Sequence, residues 1–542
     1  MKGFSLYLYY LLLISSTTSY NILVFCPLFG HSHSTFFGRL ADILTEAGHN
    51  VTLFSPTIID EFRNYSYTKL TKDVAYLDPS PELKAIGDLI AGNKRWWNQE
   101  FSVFEIPQTT RFFKSITREQ NNVLANNLAL LDGLKQKKFD LILFESVFTC
   151  ALPLMEYLEI KSFAVAQSIA YEPITLGALG DTVMTSHIPN LMAQSSDKMS
   201  LCERMLNTLI QAMLNVYGMT PEYYQSYTNP EKKIYTLEKL SEASFIFMNS
   251  NPFLDFPRAT ITKNIQIGGI SVNLDTLKSS GKLTEEWDQI LNLREKTLLV
   301  SFGSVILSQD MPFAYKVGLT NAMKQLNDVT FIWKYEGDDK KEFANGIKNI
   351  HFSKWVPQRE LLGNNAFNFT EIHIYVTESD PRLSAFMTHG GLGSVNEVSY
   401  FGKPTIMCPL SGDQMRNAKM LERHNGSIEF SKYDLHNEKV VANAFRKILY
   451  DESYTLSAKR LSEHLQFQPV KPKELFLKHV EFAARFGKLP SLDPYSRQMG
   501  FIQYFLIDIA FIVLTVVLTI VSVLYFVLKF VASCLKAKIK TD

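Results

Sequence analysis

Apolar runs separated by stretches of helical periodicity recur along this chain in two series. Residues 21–27 form a strand-like run, followed by a turn at Gly30, an amphipathic segment over about 35–47, Gly48, and a second run at 51–55. Strand, helix, strand in that order predicts a parallel sheet. Residues 139–145 and 245–249 read as further strands, and the aromatic-rich segments between them, with Trp96-Trp97 and Phe112-Phe113, are the expected place for a small-molecule pocket. A polar stretch over about 269–294 has few strand signals. A second series then begins, with strands expected at 297–302, 330–334, 350–352, 385–388 and 405–409. Residues 440–490 read as helices with Leu461, Leu465, Phe482 and Phe486 on apolar faces, packing back across both domains. The fold class expected is α/β, two facing Rossmann-like domains, and ligands in such sheets sit beyond the carboxyl ends of the strands.

Both ends of the chain carry a different pattern. A short apolar run at 4–14 with small residues after it reads as a signal peptide over 1–19. Residues 509–528 carry no charge, and at 1.5 Å per residue this run can cross a hydrocarbon core of about 30 Å. Lys529, Lys536, Lys538 and Lys540 follow it, which places 529–542 in the cytosol by the positive-inside rule. The terminal KIKTD resembles a dilysine retrieval signal, so the expected address is the endoplasmic reticulum membrane, single-pass type I, with lumenal domains. The expected division is therefore 20–270 for acceptor binding, a linker at 271–294, 295–450 for the donor, helices over 451–500, the anchor and the tail.

Composition adds exclusions. With 46% apolar and 20% charged residues and a net charge of +1, the 542-residue chain makes no electrostatic case for nucleic acid. Five cysteines are too few for a disulfide framework at this size. Sequons at Asn50, Asn64, Asn368 and Asn425 suit a lumenal chain, Asn50 being the least accessible because it enters a strand.

The densest chemistry runs from Trp355 to Gln414. His389-Gly390-Gly391-Leu392-Gly393-Ser394 is a glycine-rich turn opening a helix at about Val395, where backbone N–H groups and a helix N-terminus suit a pyrophosphate. Together with WVPQ at 355–358 and DQ at 413–414, this stretch resembles the donor signature of UDP-sugar-dependent glycosyltransferases, most nearly the membrane-bound animal UDP-glucuronosyltransferases. The resemblance implies a glycosyltransferase B-type fold and assigns Trp355 to a uracil ring, Gln358 to its polar edge, Glu397 to ribose hydroxyls, and Asp413 and Gln414 to sugar hydroxyls. His389, Gly391, Gly393, Ser394, Gly303 and Ser304 fall to the phosphates. Arg258, in DFPR, matches an arginine placed near the glucuronate carboxylate; an ordinary surface arginine is the competing reading. UDP-glucuronic acid is the expected donor, UDP-glucose the alternative, and the acceptor a small lipophilic alcohol. No Asp-x-Asp triad occurs, and neither a metal nor a cofactor is expected.

Transfer to a hydroxyl needs a base, and histidine suits one near neutrality. In Gly30-His31-Ser32-His33 the family pattern places the base at His33 and not at His31. Two other readings stay open, a metal-binding His-x-His fragment and a pair of structural histidines. The family orients its base with an aspartate after the strand written here FDLILFES, where this chain has Glu145; Asp140 is the runner-up. A catalytically silent binding protein on the same fold is the alternative from another class, and homo-oligomerisation stays open. One element departs from the family altogether. The sixteen residues 364–379, NNAFNFTEIHIYVTES, interrupt an otherwise continuous LLG-DPRL join and favour residues with A/T-rich codons, which suggests an unspliced intron in the gene model; a surface loop glycosylated at Asn368 is the alternative.

Overall fold

The computed structural model describes residues 19–91, 94–100, 102–218, 222–272, 283–304, 306–363, 367–369, 375–377 and 380–539. Two compact units divide at Pro490, one ending there and the other comprising residues 491–542. The expected signal peptide, but for its last residue, and residues 273–282 of the expected linker lie outside the described residues.

The first unit holds two parallel sheets. In the first, β1 (Asn21–Phe25), β2 (Asn50–Pro56), β3 (Asp73–Leu77), β4 (Leu141–Phe144), β5 (Ser162–Gln167), β6 (Ile246–Met248) and β7 (Asn264–Gln266) lie in the order β3-β2-β1-β4-β5-β6-β7. In the second, β8 (Lys296–Ser301), β9 (Val329–Lys334), β10 (Ile350–Ser353), β11 (Leu383–Thr388), β12 (Thr405–Met407) and β13 (Ser427–Glu429) lie in the order β10-β9-β8-β11-β12-β13. Both sheets reverse direction beside their first strand, between β1 and β4 and between β8 and β11. Such reversals open the crevices in which doubly wound sheets bind ligands.

Both faces of the second sheet are covered, which explains its unbroken apolar strands. Leu298, Val300, Phe331, Trp333, Ala385 and Met387 pack on one side, and Leu299, Ile332, Leu383 and Phe386 on the other. The two halves also exchange parts. Trp97, from the first half, is 1% exposed in the core of the second, its ring 5.0 Å from Phe302 and its indole N–H donating to the Leu307 carbonyl at 3.0 Å. Lys432 closes over that segment, donating to the carbonyls of Trp96 (2.8 Å) and Gln99 (2.6 Å). Trp97 therefore belongs to the second core and not to the expected pocket, because an indole this size is worth more buried than lining a cleft.

The return crossing is the helix Pro472–Phe486. Its Phe476 packs 5.1 Å from Phe247 of β6, and Ser162 of β5 donates to the Ala483 carbonyl at 2.7 Å. The buried face is Phe476, Val480 and Ala483; Phe482 and Phe486, expected on it, are exposed and packed on each other at 4.5 Å. Among the sequons, Asn50 opens β2 and is exposed, contrary to expectation, because a strand's first residue is not yet enclosed by its neighbours.

In the second unit the helix Ile507–Ile539 contains a span, Ile507–Lys536, long and apolar enough to cross a membrane. It is longer than the uncharged core alone.

Candidate functional site

At the first reversal the chain leaves β1 and enters α1 (His31–Glu46), with Gly30 as its N-cap. The helix begins four residues before the expected start, so both histidines sit in its first turn. A Cβ on Gly30 would lie 2.9 Å from the His33 ring, and glycine there gives the imidazole its room. His33 Nδ1 is 2.7 Å from Glu145 Oε2, just past β4, and 2.8 Å from Ser168 Oγ, just past β5. Ser168 gives both of its protons to Glu145 Oε1, the backbone N–H at 2.9 Å and the hydroxyl at 2.6 Å. With its only hydroxyl proton so committed, Ser168 can offer His33 only a lone pair. The imidazole proton is therefore on Nδ1, shared between Glu145 and Ser168, and Nε2 carries the free lone pair.

Burial alone would push the His33 imidazole down; the Glu145 carboxylate, with Asp413 further off, reverses this and holds it above 6.5. Burial alone would likewise push Glu145 up, and His33 with the two Ser168 donors holds it below the usual carboxylate range. Asp140 is at the other end of β4, accepting from the Asn21 N–H at 2.8 Å, and is out of reach. His31 turns the other way, 3.3 Å from the Tyr67 hydroxyl and edge-on to Tyr65 at 5.1 Å. Phe29 stands between His33 (5.8 Å) and Phe113 (5.6 Å), which gives the imidazole an aromatic wall.

At the second reversal, Gly303 follows β8 and His389 follows β11. Gly303 (φ +91°) and Gly390 (φ +86°) occupy left-handed backbone that a side chain would strain. His389 lies between glycines: a Cβ on Gly303 or on Gly391 would come within 2.7 Å of its ring. Burial and the nearby Lys334 ammonium push this imidazole down to about 4, so it is neutral and acts as a hydrogen-bonding group rather than a cation. Lys334, at the end of β9, donates to the Gly303 carbonyl and to Glu336, each at 2.8 Å, and lies 5.9 Å from the ring of Trp355, which is 60% exposed. Ser304 is exposed beside it.

The helix α2 (Leu392–Phe401) opens after Gly391. A Cβ on Gly393 would meet none of the described residues within 4 Å, so none of them demands glycine there. Gln358 donates to Ser394 Oγ (3.1 Å) and Glu397 Oε2 (2.6 Å), and Arg359 donates to Glu397 Oε1 (2.7 Å). Asp413 accepts from Asn417 at 2.8 Å, and Asn417 also donates to the Gly390 carbonyl at 3.1 Å, tying that loop to the glycine turn. Gln414 Oε1 accepts from the Leu410 and Ser411 N–H groups at 2.9 and 3.1 Å. That leaves its NH2 as the donor.

Charges act between the two crevices: Asp413 on His33, and Lys334 on His31. Arg258 is apart from this set. Its side chain is 3% exposed, 3.7 Å from Asp181, with its guanidinium 5.0 Å from the Tyr171 ring and none of its nitrogens hydrogen-bonded to the described residues. It is no surface arginine, and among the described residues no contact joins it to His389, Glu397 or Asp413. Among the described residues, no group of three or more His, Cys, Asp or Glu is placed to hold a metal ion.

Ser168, Lys334 and Arg359 escaped the sequence reading. The run SFAVAQ at Ser162–Gln167 is a buried-strand signal that would have exposed the first, since residues just past such strands are where sites form. The interrupting segment is partly described, as antiparallel strands Phe367–Phe369 and Tyr375–Thr377. The residues flanking it meet: the Asp380 N–H donates to the Leu362 carbonyl at 3.3 Å. Arg382 donates to both Asp380 oxygens, at 3.0 and 2.8 Å, and the buried Lys403 binds the Asp380 carbonyl.

Residues 22–541 match the family model described as UDP-glucoronosyl and UDP-glucosyl transferase. The chain belongs to the UDP-glycosyltransferase family. Among its relatives, this glycosyltransferase is 28% identical over 500 residues to the putative UDP-glucuronosyltransferase ugt-56 of Caenorhabditis elegans (87% of this chain, 88% of that one). It is 26% identical over 477 residues to UDP-glucuronosyltransferase 1-2 of Mus musculus (86% and 84%), and 28% identical over 507 to the human 2-hydroxyacylsphingosine 1-beta-galactosyltransferase (91% and 85%). Its fold is similar to that of Phytolacca americana UGT2, solved with UDP-2fluoro-glucose and pterostilbene (TM-score 0.53, 14% identity, 86% of this chain and all of that one). A similar match is Os79 of O. sativa (TM-score 0.54, 14% identity, the same coverage).

Proposed function

We propose that this UDP-glycosyltransferase moves glucuronic acid from UDP-glucuronate to a hydroxyl of small lipophilic acceptors, with inversion, on the lumenal side of the endoplasmic reticulum membrane. The observation that carries the reading is His33, fixed through Nδ1 by Glu145 and Ser168 and within electrostatic reach of Asp413. Nε2 of His33 takes the acceptor proton as its oxygen attacks the anomeric carbon, and Glu145 stabilises the imidazolium that forms. The bond from the anomeric carbon to the UDP oxygen breaks, and direct displacement converts an α-linked donor into a β-linked product.

Charge on the departing UDP falls to the N–H groups after Gly303, the N-terminus of α2, neutral His389 and Lys334. A bare first turn at Gly393 suits a diphosphate approaching the backbone. Trp355 offers its exposed face to the uracil, with Gln358 at the edge. Glu397 already receives Gln358 and Arg359, and a carboxylate has lone pairs left for ribose hydroxyls. Asp413 and Gln414 take the sugar hydroxyls.

The glucuronate preference rests on relatives named glucuronosyltransferases, with a galactosyltransferase at equal identity against it. Arg258 would serve only if the groups enclosing it open when donor binds. UDP release with a phenolic acceptor, measured for UDP-glucuronate, UDP-glucose and UDP-galactose, tests both points. Fastest release from UDP-glucuronate is expected, with Arg258→Leu costing more there than with UDP-glucose. Fastest release from another sugar would replace the donor; binding of UDP with no release from any would leave a binding protein.

A further inference from the structure

A line of buried hydrogen bonds leaves the His33 site and enters the donor helix. Asn249, just past β6, donates through Nδ2 to the Ser168 carbonyl at 3.0 Å. Its own backbone N–H donates to the Gln167 carbonyl at 3.1 Å, which fixes it against the end of β5. Because a carbonyl can only accept, the Asn249 amide has one orientation, and its Oδ1 is turned to Asn396, whose Nδ2 donates to it at 3.2 Å. Asn396 lies on α2, two residues after Ser394 and one before Glu397, both assigned to the donor. The side chains of Ser168, Asn249 and Asn396 are buried, and Asn396 Oδ1 has no hydrogen-bond partner among the described residues. An asparagine kept at such a position with half its amide unsatisfied costs stability that an apolar side chain would not, so a positional role better accounts for it.

We propose that Ser168, Asn249 and Asn396 are positioning residues that hold the His33–Glu145 pair in register with the donor helix. The proposal rests on the functional reading above in taking His33 as the base. Ser168 acts at its hydroxyl, which fixes the imidazole tautomer, while its carbonyl is held by Asn249. Asn249 spans the gap between the sheets. A movement of α2 on donor binding would thus be felt at His33 without any direct contact between His33 and α2.

The test uses the full-length protein with Asn249→Ala, Asn396→Ala, the double variant, Ser168→Ala and Ser168→Thr. Each asparagine change should lower kcat at saturating UDP-sugar by about tenfold, while the Kd for UDP moves less than about twofold. The double variant should fall little below either single one, since both break the same chain. Ser168→Thr, which keeps the hydroxyl, should restore most of what Ser168→Ala loses. A double-variant loss equal to the product of the single losses, or kcat losses that follow the fall in melting temperature, would overturn the relay. A second readout needs no turnover: the rate at which diethyl pyrocarbonate modifies His33, followed by peptide mass. Asn396→Ala should change that rate at least about twofold and leave exposed His187 unchanged. An unchanged His33 rate would sink the proposal even in an active enzyme. If the wild-type protein binds UDP and transfers nothing, the functional reading fails, and the His33 rate alone decides the relay.

Discussion

Replacing Glu145 by Gln keeps the size of the side chain and tests the site through its protons. Ser168 directs two donors at one oxygen of residue 145, at 2.9 and 2.6 Å. The glutamine carbonyl is the only group that can receive them, so the NH2 is left facing His33 Nδ1. Nδ1 must then accept, its proton moves to Nε2, and the nitrogen that should take the acceptor proton no longer can. The loss therefore exceeds the worth of one charge-assisted hydrogen bond, about 1.5–3 kcal/mol, and reaches the full contribution of a general base, about 10²–10⁴-fold in kcat. The pH profile changes as well. A base must be neutral, and His33 is held above 6.5, so wild-type kcat/KM should rise with pH along a limb centred above that value. Without the Glu145 carboxylate only Asp413 still opposes burial, and the limb should move to lower pH; one unit corresponds to about 1.4 kcal/mol. UDP release against pH with a phenolic acceptor measures both effects. A variant within about fivefold of wild type, with the limb unmoved, would refute the arrangement of protons and remove Glu145 from the mechanism.

Other changes test other parts. His33→Ala should lower turnover about 10²–10⁴-fold with little change in UDP affinity; a loss below tenfold would pass the role to another group. Trp97→Ala should cost about 3–5 kcal/mol of stability, read as a shift in the denaturation midpoint, and a cost under about 1 kcal/mol would show that the cross-over segment is not held by its ring. Deleting residues 364–379 should leave the melting temperature within a few degrees and preserve UDP binding, because the Asp380 N–H already closes on Leu362; unfolding of the shortened chain would make the segment a structural element, and transcript sequencing would settle its origin. Changing Lys538 and Lys540 to Ser should let glycans mature beyond endoglycosidase sensitivity, and continued full sensitivity would exclude the tail as the retention signal.

What could be read without the structure follows from how local each signal is. The central strands of both sheets were legible because a parallel strand buried on both faces prints an apolar run, whereas the half-exposed Asp73–Leu77 and the short Asn264–Gln266 and Ser427–Glu429 print none; the glycine turn was legible because left-handed backbone at Gly303 and Gly390 admits little but glycine. The start of α1 was misread because HSHS has the composition of a turn, while Gly30 makes it a capped helix. Trp97, Ser168 and Asn249 were illegible for another reason. Their partners Phe302, His33 and Asn396 lie more than a hundred residues away, and no periodicity links them.

The double exchange between the halves has a consequence for biosynthesis. A first half leaving the ribosome alone would present Trp97 with no core to enter, and the outer face of β6 would wait for Phe476 until nearly five hundred residues had been made. Maturation of either half is thus contingent on the other, and chaperones must shelter the early half until the late one arrives. Premature stop codons anywhere before residue 472 should then yield chains marked for degradation rather than a soluble first half.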